Sequence, residues 1–464
     1  MKKLIIYLLS LFVFLTGCEK YVSQDDVSPN SPTSATMQVL LPTVEVAIFA
    51  IYTGETARTS GMWVQHFNGA SFQSQQRGNY SVSENDVSNE FSTIYASGVP
   101  NAKEIISQAT TLNAPYYKGI AEICSAMLYG VATDFWGDVP EREAGLGLAN
   151  LTPHFETQQV VLSDIQAMLS DAIANLSKTK AENSVLPGLD DFIHQGSAKA
   201  WITTAWILKA RYHNRLSKHD PSGSATNVLA DITAAEAAGL VNNSLDAKAV
   251  FDGASNINPW YDFNSQRANY IKTGSTLIDT MLGLNDPRIP FYAAPDTFSS
   301  GTHYSGSPIG SDNTVTSDIG PGYAKIGTPL PLVTYTESRF LKAEASQRAS
   351  NAAGAQTAFT EGLNSAMLFT GINDSLVTAY ITANGTLVAG NELNQIMFQK
   401  WIAMYTQPEA FADWRRTGIP VLTPNPNGVQ ATIPLRYPTE QNERLYNPNA
   451  VVISNLTTPV WWDL

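Results

Sequence analysis

The sequence is poor in cysteine, in charged residues and in long apolar runs. Only two cysteines, Cys18 and Cys124, occur among 464 residues, which excludes a disulfide framework. Charged residues make up 15% of the chain, and 41 acidic residues against 28 basic ones give a formal net charge of −13. A nucleic-acid binder needs a basic face to neutralise phosphates, so this balance argues against one. The apolar content of 44% instead predicts a large folded body rather than a disordered chain.

The long apolar run that is present, residues 4–15, follows Lys2 and Lys3 at the N-terminus. A helix of this length spans only about 18 Å, whereas a bilayer core needs about 30 Å, so the run does not predict a membrane-spanning anchor. It predicts a secretion signal over residues 1–17. The sequence Leu-Thr-Gly directly before Cys18 resembles the bacterial lipoprotein signal, in which the cysteine is acylated and becomes the first residue. The alternative is an ordinary signal peptide with a chance cysteine.

Acylation of Cys18 predicts a lipid anchor, because two or three acyl chains hold a protein stably on a membrane. The residues from Cys18 to position 36 are rich in Asp, Ser, Pro and Asn, which predicts a flexible tether over 18–36. Glu19, Asp25 and Asp26 resemble the surface-export signal of Bacteroidetes lipoproteins. The predicted location is therefore the outer leaflet of the outer membrane, with the body facing outwards.

The body, residues 37–464, shows mainly helical periodicity. Apolar residues recur at spacings of three and four along several stretches, as in residues 120–135, 161–176 and 201–216. This pattern predicts a helical scaffold of paired helices over about 37–239 and 334–419. Gly, Pro, Asn and aromatic residues replace it over about 240–333, which predicts a loop-rich, ligand-binding insertion. The C-terminal segment 420–464 is rich in Pro and Asn and is predicted to pack irregularly.

Recognisable catalytic motifs are absent from the sequence. It contains no Gly-x-Ser-x-Gly elbow, no phosphate-binding Gly-Lys-Ser/Thr loop and no His-Glu-x-x-His pair. The six histidines are scattered and do not form a metal-ligand spacing, so neither a metal nor a cofactor is predicted. Glycoside hydrolysis needs only two suitably placed carboxylates, and a surface glycoside hydrolase remains an alternative. Its candidate carboxylates are Asp134, Asp138, Glu141 and Asp262.

Three aromatic-rich segments, residues 63–80, 256–270 and 292–304, mix flat rings with amides and arginines. Flat apolar faces beside planar hydrogen-bonding groups suit a sugar ring, and they suit an extended peptide nearly as well. The opposing interpretation is that most of these rings lie in the core, as large aromatics usually do. The predicted ligand-binding residues are Trp260, Tyr261, Asn264, Arg267, Tyr80, Gln73 and Tyr304.

Several motifs between residues 134 and 442 occur in the order found in one family. They are Asp134-Phe135-Trp136-Gly137-Asp138, Asp286-Pro287-Arg288, residues 337–345, Gln399-Lys400-Trp401, Asp413-Trp414-Arg415-Arg416 and Ile433-Pro434-Leu435-Arg436-Tyr437-Pro438. Together with the lipoprotein signal, they resemble the SusD/RagB family of nutrient-binding surface lipoproteins of Bacteroidetes. The match covers scaffold motifs, and no motif carries the family's ligand contacts onto this sequence.

The resemblance implies a mostly α-helical fold in which tetratricopeptide-like helix pairs support an irregular ligand-binding part. It also implies a partner, a SusC-like TonB-dependent β-barrel transporter of the outer membrane, over which the lipoprotein sits as a lid. The implied ligand is an oligosaccharide, with an oligopeptide as the alternative. The function expected is therefore non-catalytic capture and delivery of a nutrient oligomer. A helical-repeat scaffold for other surface lipoproteins is a further alternative.

Charged residues within these motifs also have a structural interpretation. Glu337 and Glu344 are seven apart on a predicted helix and so share one face. Arg415 and Arg416 suit bidentate pairing with buried carboxylates. We expect structural ion pairs at these positions rather than ligand contacts.

Overall fold

The computed structural model describes residues 35–298 and 301–464. The predicted signal peptide, Cys18 and most of the predicted tether therefore lie outside the described residues. The N-terminal part of the body is built from helices. They are α1 (Met37–Thr53), α2 (Glu55–Trp63), α3 (Phe72–Gly78), α4 (Ser88–Ser92), α5 (Val99–Leu112), α6 (Pro115–Trp136), α7 (Gln158–Leu176), α8 (Ala198–Arg215) and α9 (Pro221–Ala237).

The segment 240–333 contains short regular elements, none longer than nine residues. Its helices are α10 (Pro259–Gln266), α11 (Ser275–Gly283) and α12 (Ile289–Tyr292). Its strands are β2 (Ala247–Ala249), β3 (Ile271–Thr273) and β4 (Leu330–Val333), and β1 (Phe67–Gly69) comes from the N-terminal part. The antiparallel pairs are β1 with β3 and β2 with β4. The pair β1–β3 thus ties this segment to the N-terminal helical part, whereas the pair β2–β4 joins the two ends of the segment itself.

The remaining helices follow the second strand pair. They are α13 (Tyr335–Arg348), α14 (Ala352–Phe369), α15 (Asp374–Asn384), α16 (Glu392–Ala403), α17 (Glu409–Thr417) and α18 (Gln441–Tyr446). The segment after α17 is otherwise irregular up to a final 3-10 turn, Trp461–Asp463. The mainly α fold predicted from the periodicity is confirmed.

Sequential helices pack as pairs around one large hydrophobic core and a smaller cluster between α8, α9 and α13. The closest pairs are α5 with α6, α6 with α7, α8 with α9, and α13 with α14. Helix α6 is central, because nearly all of its residues are buried. It also meets α8 closely, since a Cβ at Gly130 would lie 1.8 Å from the Tyr212 hydroxyl oxygen. The absence of a side chain at Gly130 therefore permits this helix crossing.

The helical stretch that the sequence predicts over about 85–110 is helical throughout in the structure, but it is not a regular α-helix. A 3-10 turn (Asn85–Val87), α4, a π-helical turn (Thr93–Gly98) and α5 follow one another without a gap. Pro100 is the second residue after the π-helical turn, and a proline lacks the N–H that a regular helical turn needs. The sequence therefore predicts the helical stretch but not its local irregularity.

Helices α1 and α2 together form a helical stretch long and apolar enough to span a membrane, Met37–Trp63. However, 67% of its most apolar window is buried inside the protein. Leu41, Val44 and Ile48 on this stretch are fully buried in the main core cluster. Its hydrophobicity is thus explained by packing within the body.

Candidate functional site: an aromatic surface at the paired strands

The strand pair β1–β3 brings two of the predicted aromatic segments together. Phe67 lies opposite Thr273, and Gly69 lies opposite Ile271. One residue further on, the amide of Ala70 donates a hydrogen bond to the carbonyl oxygen of Tyr270, at 2.9 Å. The segments 63–80 and 256–270, which are far apart in sequence, therefore form one continuous surface.

A pair of stacked rings, of which Phe72 is exposed and Tyr270 is half-buried, lies at the end of this ribbon. The ring centroids of Phe72 and Tyr270 are 4.8 Å apart, and the ring planes are inclined by 25°. Phe72 is 69% exposed although it is a large apolar side chain. Its backbone has a φ of +50°, a left-handed conformation that is costly for a residue with a side chain. Strain and apolar exposure at the same residue are typical of a functional position.

Two guanidinium groups border the stacked rings. The Arg267 guanidinium lies 5.4 Å from the centre of the Phe263 ring, and that of Arg58 lies 4.4 Å from the same ring. Phe263 in turn meets Tyr270 edge to face, with centroids 6.1 Å apart. Arg58 is paired with Glu55, whereas no described carboxylate lies within 4.0 Å of the Arg267 guanidinium. The N–H groups of Arg267 are thus available to a ligand beside the rings. We refer to Phe72, Tyr270 and Arg267 as the aromatic platform.

Neighbouring loops hold this surface in place. The Asn68 side-chain amide donates to the Ser307 hydroxyl at 2.9 Å and to the Ser311 carbonyl at 2.8 Å. The Asn425 amide donates to the Gly78 carbonyl at 2.8 Å. The C-terminal segment and the loop that follows the third aromatic segment therefore both meet the N-terminal ribbon. Because these contacts are hydrogen bonds to backbone or buried polar groups, they fix the shape of the surface without occupying it.

Tyr304, the predicted residue of the third segment, is partly buried against the core. Close to it in sequence, the Asp296 carboxylate accepts hydrogen bonds from the Ser305 hydroxyl and the His303 imidazole, both at 2.6 Å. These two hydrogen bonds lower the pKa of Asp296 to about 2. The Asp296 carboxylate is thus an anion that organises its own loop.

Two of the predicted ligand-binding residues are buried, and the prediction for their side chains is corrected. Trp260 is 0% exposed, and its ring lies 4.7 Å from that of Phe67 beneath the ribbon. Tyr80 is 2% exposed, and its hydroxyl accepts a hydrogen bond from the amide of Asn425 at 2.7 Å. Both rings are core residues that support the platform from below.

The other predicted residues near the ribbon have accessible side chains. Gln73 is exposed next to Phe72, and Tyr261, Asn264 and Arg267 are partly exposed on and after α10. Helix α10 turns Trp260 and Phe263 inwards, which leaves the intervening residues outside. Phe72 and Tyr270 were absent from the predicted set. Both lie in the aromatic segments, but 198 positions separate them, and only the strand pairing places them in contact.

Two of the four candidate carboxylates for hydrolysis, Asp134 and Asp138, have structural partners. Asp134 accepts hydrogen bonds from Arg215 and from the indole of Trp462, at 2.9 Å and 3.0 Å. Asp138 accepts from the amide of Gln158 at 2.9 Å, at the start of α7. Asp134 is 6% exposed and is held among aromatic and arginine side chains. The motif Asp134–Asp138 therefore joins helices instead of lining a cleft.

Among the charged residues of the other motifs, Glu337 forms a buried ion pair, as expected. Arg211 donates to both carboxylate oxygens of Glu337, each at 2.6 Å. Arg215 joins Asp134 to Glu409, with its shortest contact to Glu409 at 2.5 Å. All of these side chains are less than a tenth exposed. We refer to Arg211, Arg215, Asp134, Glu337 and Glu409 as the buried charge network.

Arg415 and Arg416 have different environments. Arg416 pairs with Glu344 and with Asp413, the latter at 2.9 Å. Arg415 pairs with no carboxylate but donates to the carbonyl oxygens of Asp134 and Leu435, both at 2.7 Å. Burial lowers the pKa of Arg415 to about 10. The predicted bidentate pairing is thus found for Arg416, while Arg415 holds the C-terminal segment through backbone carbonyls.

Concave sites lie elsewhere on the body. A cavity of about 290 Å³ is lined by Leu284, Phe359, Asn384 and Phe398, among others. A groove of about 450 Å³ runs along α1, between Pro42, Val46, Ala50 and Ser97. Within the described residues, no group of three or more His, Cys, Asp or Glu side chains is arranged to hold a metal ion.

Comparison with solved structures shows the same fold in other proteins. A SusD/RagB family protein from Bacteroides thetaiotaomicron is similar with a TM-score of 0.78 and 24% identity, over 93% of this chain and 99% of that one. A chitin-binding SusD homolog from Flavobacterium johnsoniae is similar with a TM-score of 0.79 and 21% identity, over 92% and 97%. These neighbours have a tetratricopeptide-like helical fold. No curated protein matches the sequence.

The sequence matches one protein family over most of its length. The matching family is SusD-like, described as starch-binding and associating with the outer membrane, and the match covers residues 29–438. Its members are binding proteins rather than enzymes. This chain therefore belongs to the SusD-like family of nutrient-binding surface proteins.

Proposed function

We propose that this protein captures an oligosaccharide at the aromatic platform and does not cleave it. The stack of the exposed Phe72 ring on the half-buried Tyr270 ring carries this proposal, since it presents an apolar ring face to solvent on a fixed ribbon. The C–H faces of a pyranose pack on such rings, while the sugar hydroxyls need donors at the edge. Arg267 and the exposed amide of Gln73 supply such donors. The chitin-binding neighbours support a saccharide as the ligand class.

We further propose that the protein is anchored through acylated Cys18 and delivers its ligand to a SusC-like TonB-dependent transporter, over which it acts as a lid. Membership of an outer-membrane family supports this proposal. A tether beside the transporter makes transfer effectively intramolecular, with a local concentration of about millimolar. Tight binding would then slow release without aiding capture. The expected dissociation constant for a single oligosaccharide is roughly micromolar or weaker, about −8 kcal/mol or less favourable.

The test is binding of the full-length protein to a panel of starch, chitin and other oligosaccharides, with oligopeptides included. Phe72→Ala and Tyr270→Ala each remove one ring of the stack, and each is expected to weaken the affinity roughly tenfold. Tyr446→Ala is the matched control, because Tyr446 is also an exposed aromatic, at 74%. Its affinity should equal that of the wild type.

Three results would contradict the proposal. Undiminished affinity in both platform variants would move the ligand to another site, such as the cavity beside Phe398. New reducing ends released from any bound glycan would identify a hydrolase. Preference for oligopeptides over every glycan in the panel would show that the ligand is a peptide, bound at the same site.

A further inference from the structure

The cavity of about 290 Å³ is enclosed by residues of α14, α15 and α16, by the loop between the last two, and by the residue that follows α11. Phe359 and Gln399 are buried and form its inner wall. Ala383, Thr386 and Val388 are exposed and form its rim. The cavity is therefore closed at its base and accessible from solvent.

The loop on one side of the cavity is fixed by two glutamine side chains. The Gln356 side chain donates to the carbonyl of Gly385 at 2.7 Å and accepts from the amide of Leu387 at 2.8 Å. The Gln395 side chain accepts from the amide of Val388 at 2.7 Å. These hydrogen bonds hold the loop in shape before any ligand binds, which lowers the entropic cost of binding.

Primary amides supply the polar part of the lining, and each has an N–H group left for a ligand. Asn384 donates to the carbonyl of Tyr380 at 3.2 Å, and Gln399 donates to the hydroxyl of the same residue at 2.9 Å. Gln395 donates to the carbonyl of Thr386 at 3.0 Å. A primary amide has two N–H donors, and none of these three nitrogens donates a second hydrogen bond within the described residues. Because Gln399 is only 4% exposed, an acceptor on a ligand in the cavity would satisfy an otherwise costly buried donor.

The rest of the lining is mainly apolar, and none of the described lining residues is charged. The rings of Phe359 and Phe398 and the side chain of Leu284 supply the apolar surface. An ionised ligand would lose its hydration here without gaining a partner of opposite charge, which is unfavourable. Aromatic rings beside neutral N–H donors instead suit an uncharged ring that has a C–H face and hydroxyl groups.

The size of the cavity limits the ligand to a small molecule. Pockets that bind drug-sized molecules have volumes of about 300–1,000 Å³. At about 290 Å³, this cavity lies just below that range. Its volume therefore suits one sugar ring rather than an oligosaccharide.

The cavity is separate from the aromatic platform. Leu284 directly follows α11, and the first residue of α11, Ser275, is two positions after the end of β3. The nine residues of α11 span about 14 Å. The cavity and the strand ribbon thus lie at opposite ends of α11, and no platform residue is among the described residues that line the cavity.

We propose that this cavity is a second ligand site, which binds a single uncharged sugar ring independently of the aromatic platform. The inference goes beyond the proposed function, because it concerns other residues and a ligand the size of a monosaccharide. So small a ligand makes few contacts, and the expected dissociation constant is about millimolar.

The test measures binding of monosaccharides to the full-length protein by saturation-transfer NMR. The panel contains glucose, galactose and N-acetylglucosamine, which are uncharged, and glucuronate, which is anionic. At least one uncharged sugar should bind with a dissociation constant of about millimolar. Glucuronate should bind roughly tenfold more weakly, since the lining offers it no cation.

Two substitutions at the rim should close the cavity without disturbing the core. Ala383→Trp on α15 and Val388→Trp on the loop each add an indole at an exposed lining position, and each should weaken monosaccharide binding roughly tenfold. Ala353→Trp is the matched control, because Ala353 is an exposed alanine on α14 outside the lining. It should bind the monosaccharide as the wild type does. Circular dichroism checks the fold of each variant, and either rim variant alone is a sufficient test.

The platform variant Phe72→Ala separates this inference from the proposed function. It should bind the monosaccharide as the wild type does, although its affinity for the oligosaccharide falls. Loss of monosaccharide binding in Phe72→Ala would place the single ring on the platform and overturn the second site, with the proposed function intact. Unchanged oligosaccharide affinity in Phe72→Ala and Tyr270→Ala would contradict the proposed function and leave the second site standing.

Three other results would overturn the inference. Undiminished monosaccharide binding in a folded rim variant would show that the sugar does not occupy the cavity. Equal affinity for glucuronate and the uncharged sugars would exclude recognition by an uncharged lining. Binding of no sugar in the panel to the wild type would exclude a site for a single sugar ring.

Discussion

The buried charge network and the aromatic platform both contain side chains that interact strongly, but the network is buried and paired whereas the platform lies at the surface. In the network, Arg211 and Arg215 bind carboxylates from three distant segments, and every member is nearly inaccessible to water. In the platform, Phe72 and Arg267 lie at the surface, and no described carboxylate pairs with Arg267. The arginines of the network have their carboxylate partners within the protein, whereas Arg267 of the platform has no such partner among the described residues. The comparison shows that the recognisable sequence motifs serve the fold. The proposed site instead lies where side chains lack partners within the protein.

The largest effect is expected from breaking the network. Arg215→Ala leaves Asp134 and Glu409 buried without their shared cation, and uncompensated buried charges are costly. The free energy of unfolding should fall by about 3–5 kcal/mol, measured by urea denaturation. Arg142→Ala removes an exposed pairing with Asp164 and should leave the unfolding free energy unchanged within error. An equal loss in both variants would show that burial does not distinguish the two kinds of pair.

The next effect tests the corrected role of Trp260. Trp260→Ala removes a fully buried indole beneath the ribbon and should lower the free energy of unfolding by about 3 kcal/mol. At a temperature where the variant is folded, its affinity for the glycan should change far less than that of Phe72→Ala. Phe298→Ala, at an exposed aromatic, should leave the stability unchanged. A stable Trp260→Ala variant without affinity for the glycan would show that Trp260 belongs to the binding site.

A smaller effect is expected in the pH dependence of stability, which arises from a second group of buried charges, Glu344, Asp413 and Arg416. The cations around Glu344, above all Arg416, outweigh its burial and lower its pKa to about 2. The ionised form is therefore favoured in the folded state, and its contribution is present above the unfolded pKa of about 4.5 and lost as the pH falls towards 2. That contribution is about 3 kcal/mol.

Glu344→Gln is expected to remove this dependence. The stability difference between wild type and variant should be largest near neutral pH and shrink as the pH falls from about 4.5 towards 2. Glu361→Gln, at a more exposed carboxylate, should show a much weaker change. A difference between wild type and Glu344→Gln that stays constant over this range would contradict the assignment.

The smallest effect concerns backbone strain at the platform. Glycine tolerates the left-handed φ of +50° at Phe72, whereas alanine does not. Phe72→Gly should therefore be more stable than Phe72→Ala by about 1 kcal/mol, measured by thermal unfolding. At the neighbouring Gln73, inside α3, the order should reverse, with the glycine variant less stable than the alanine variant. If the alanine variant were the more stable one at both positions, backbone strain at Phe72 would be excluded.

The sequence was sufficient for the fold because the helical signals are local. Apolar spacing predicted α6, α7 and α8, and paired charges such as Glu337 with Arg211 satisfied the expectation of structural ion pairs. The π-helical turn between α4 and α5 was not predicted, since the apolar spacing runs on through it.

The site was only partly predictable, because exposure is not a local property. Trp260 and Tyr261 are adjacent in sequence and equally suited to a sugar, yet α10 buries the first and leaves the second partly exposed. The partnership of Phe72 with Tyr270 depends on the register of β1 with β3, two strands of three residues each. Such short strands give almost no sequence signal.

The most direct test of the platform is hydrogen–deuterium exchange of the full-length protein with and without a saturating oligosaccharide from the binding panel. The account predicts slower exchange on ligand binding in segments 70–80 and 267–273, and no change in segment 145–152. Slower exchange confined to other regions, such as residues 384–399 beside the 290 Å³ cavity, would contradict the central claim that the stacked rings of Phe72 and Tyr270 bind the glycan.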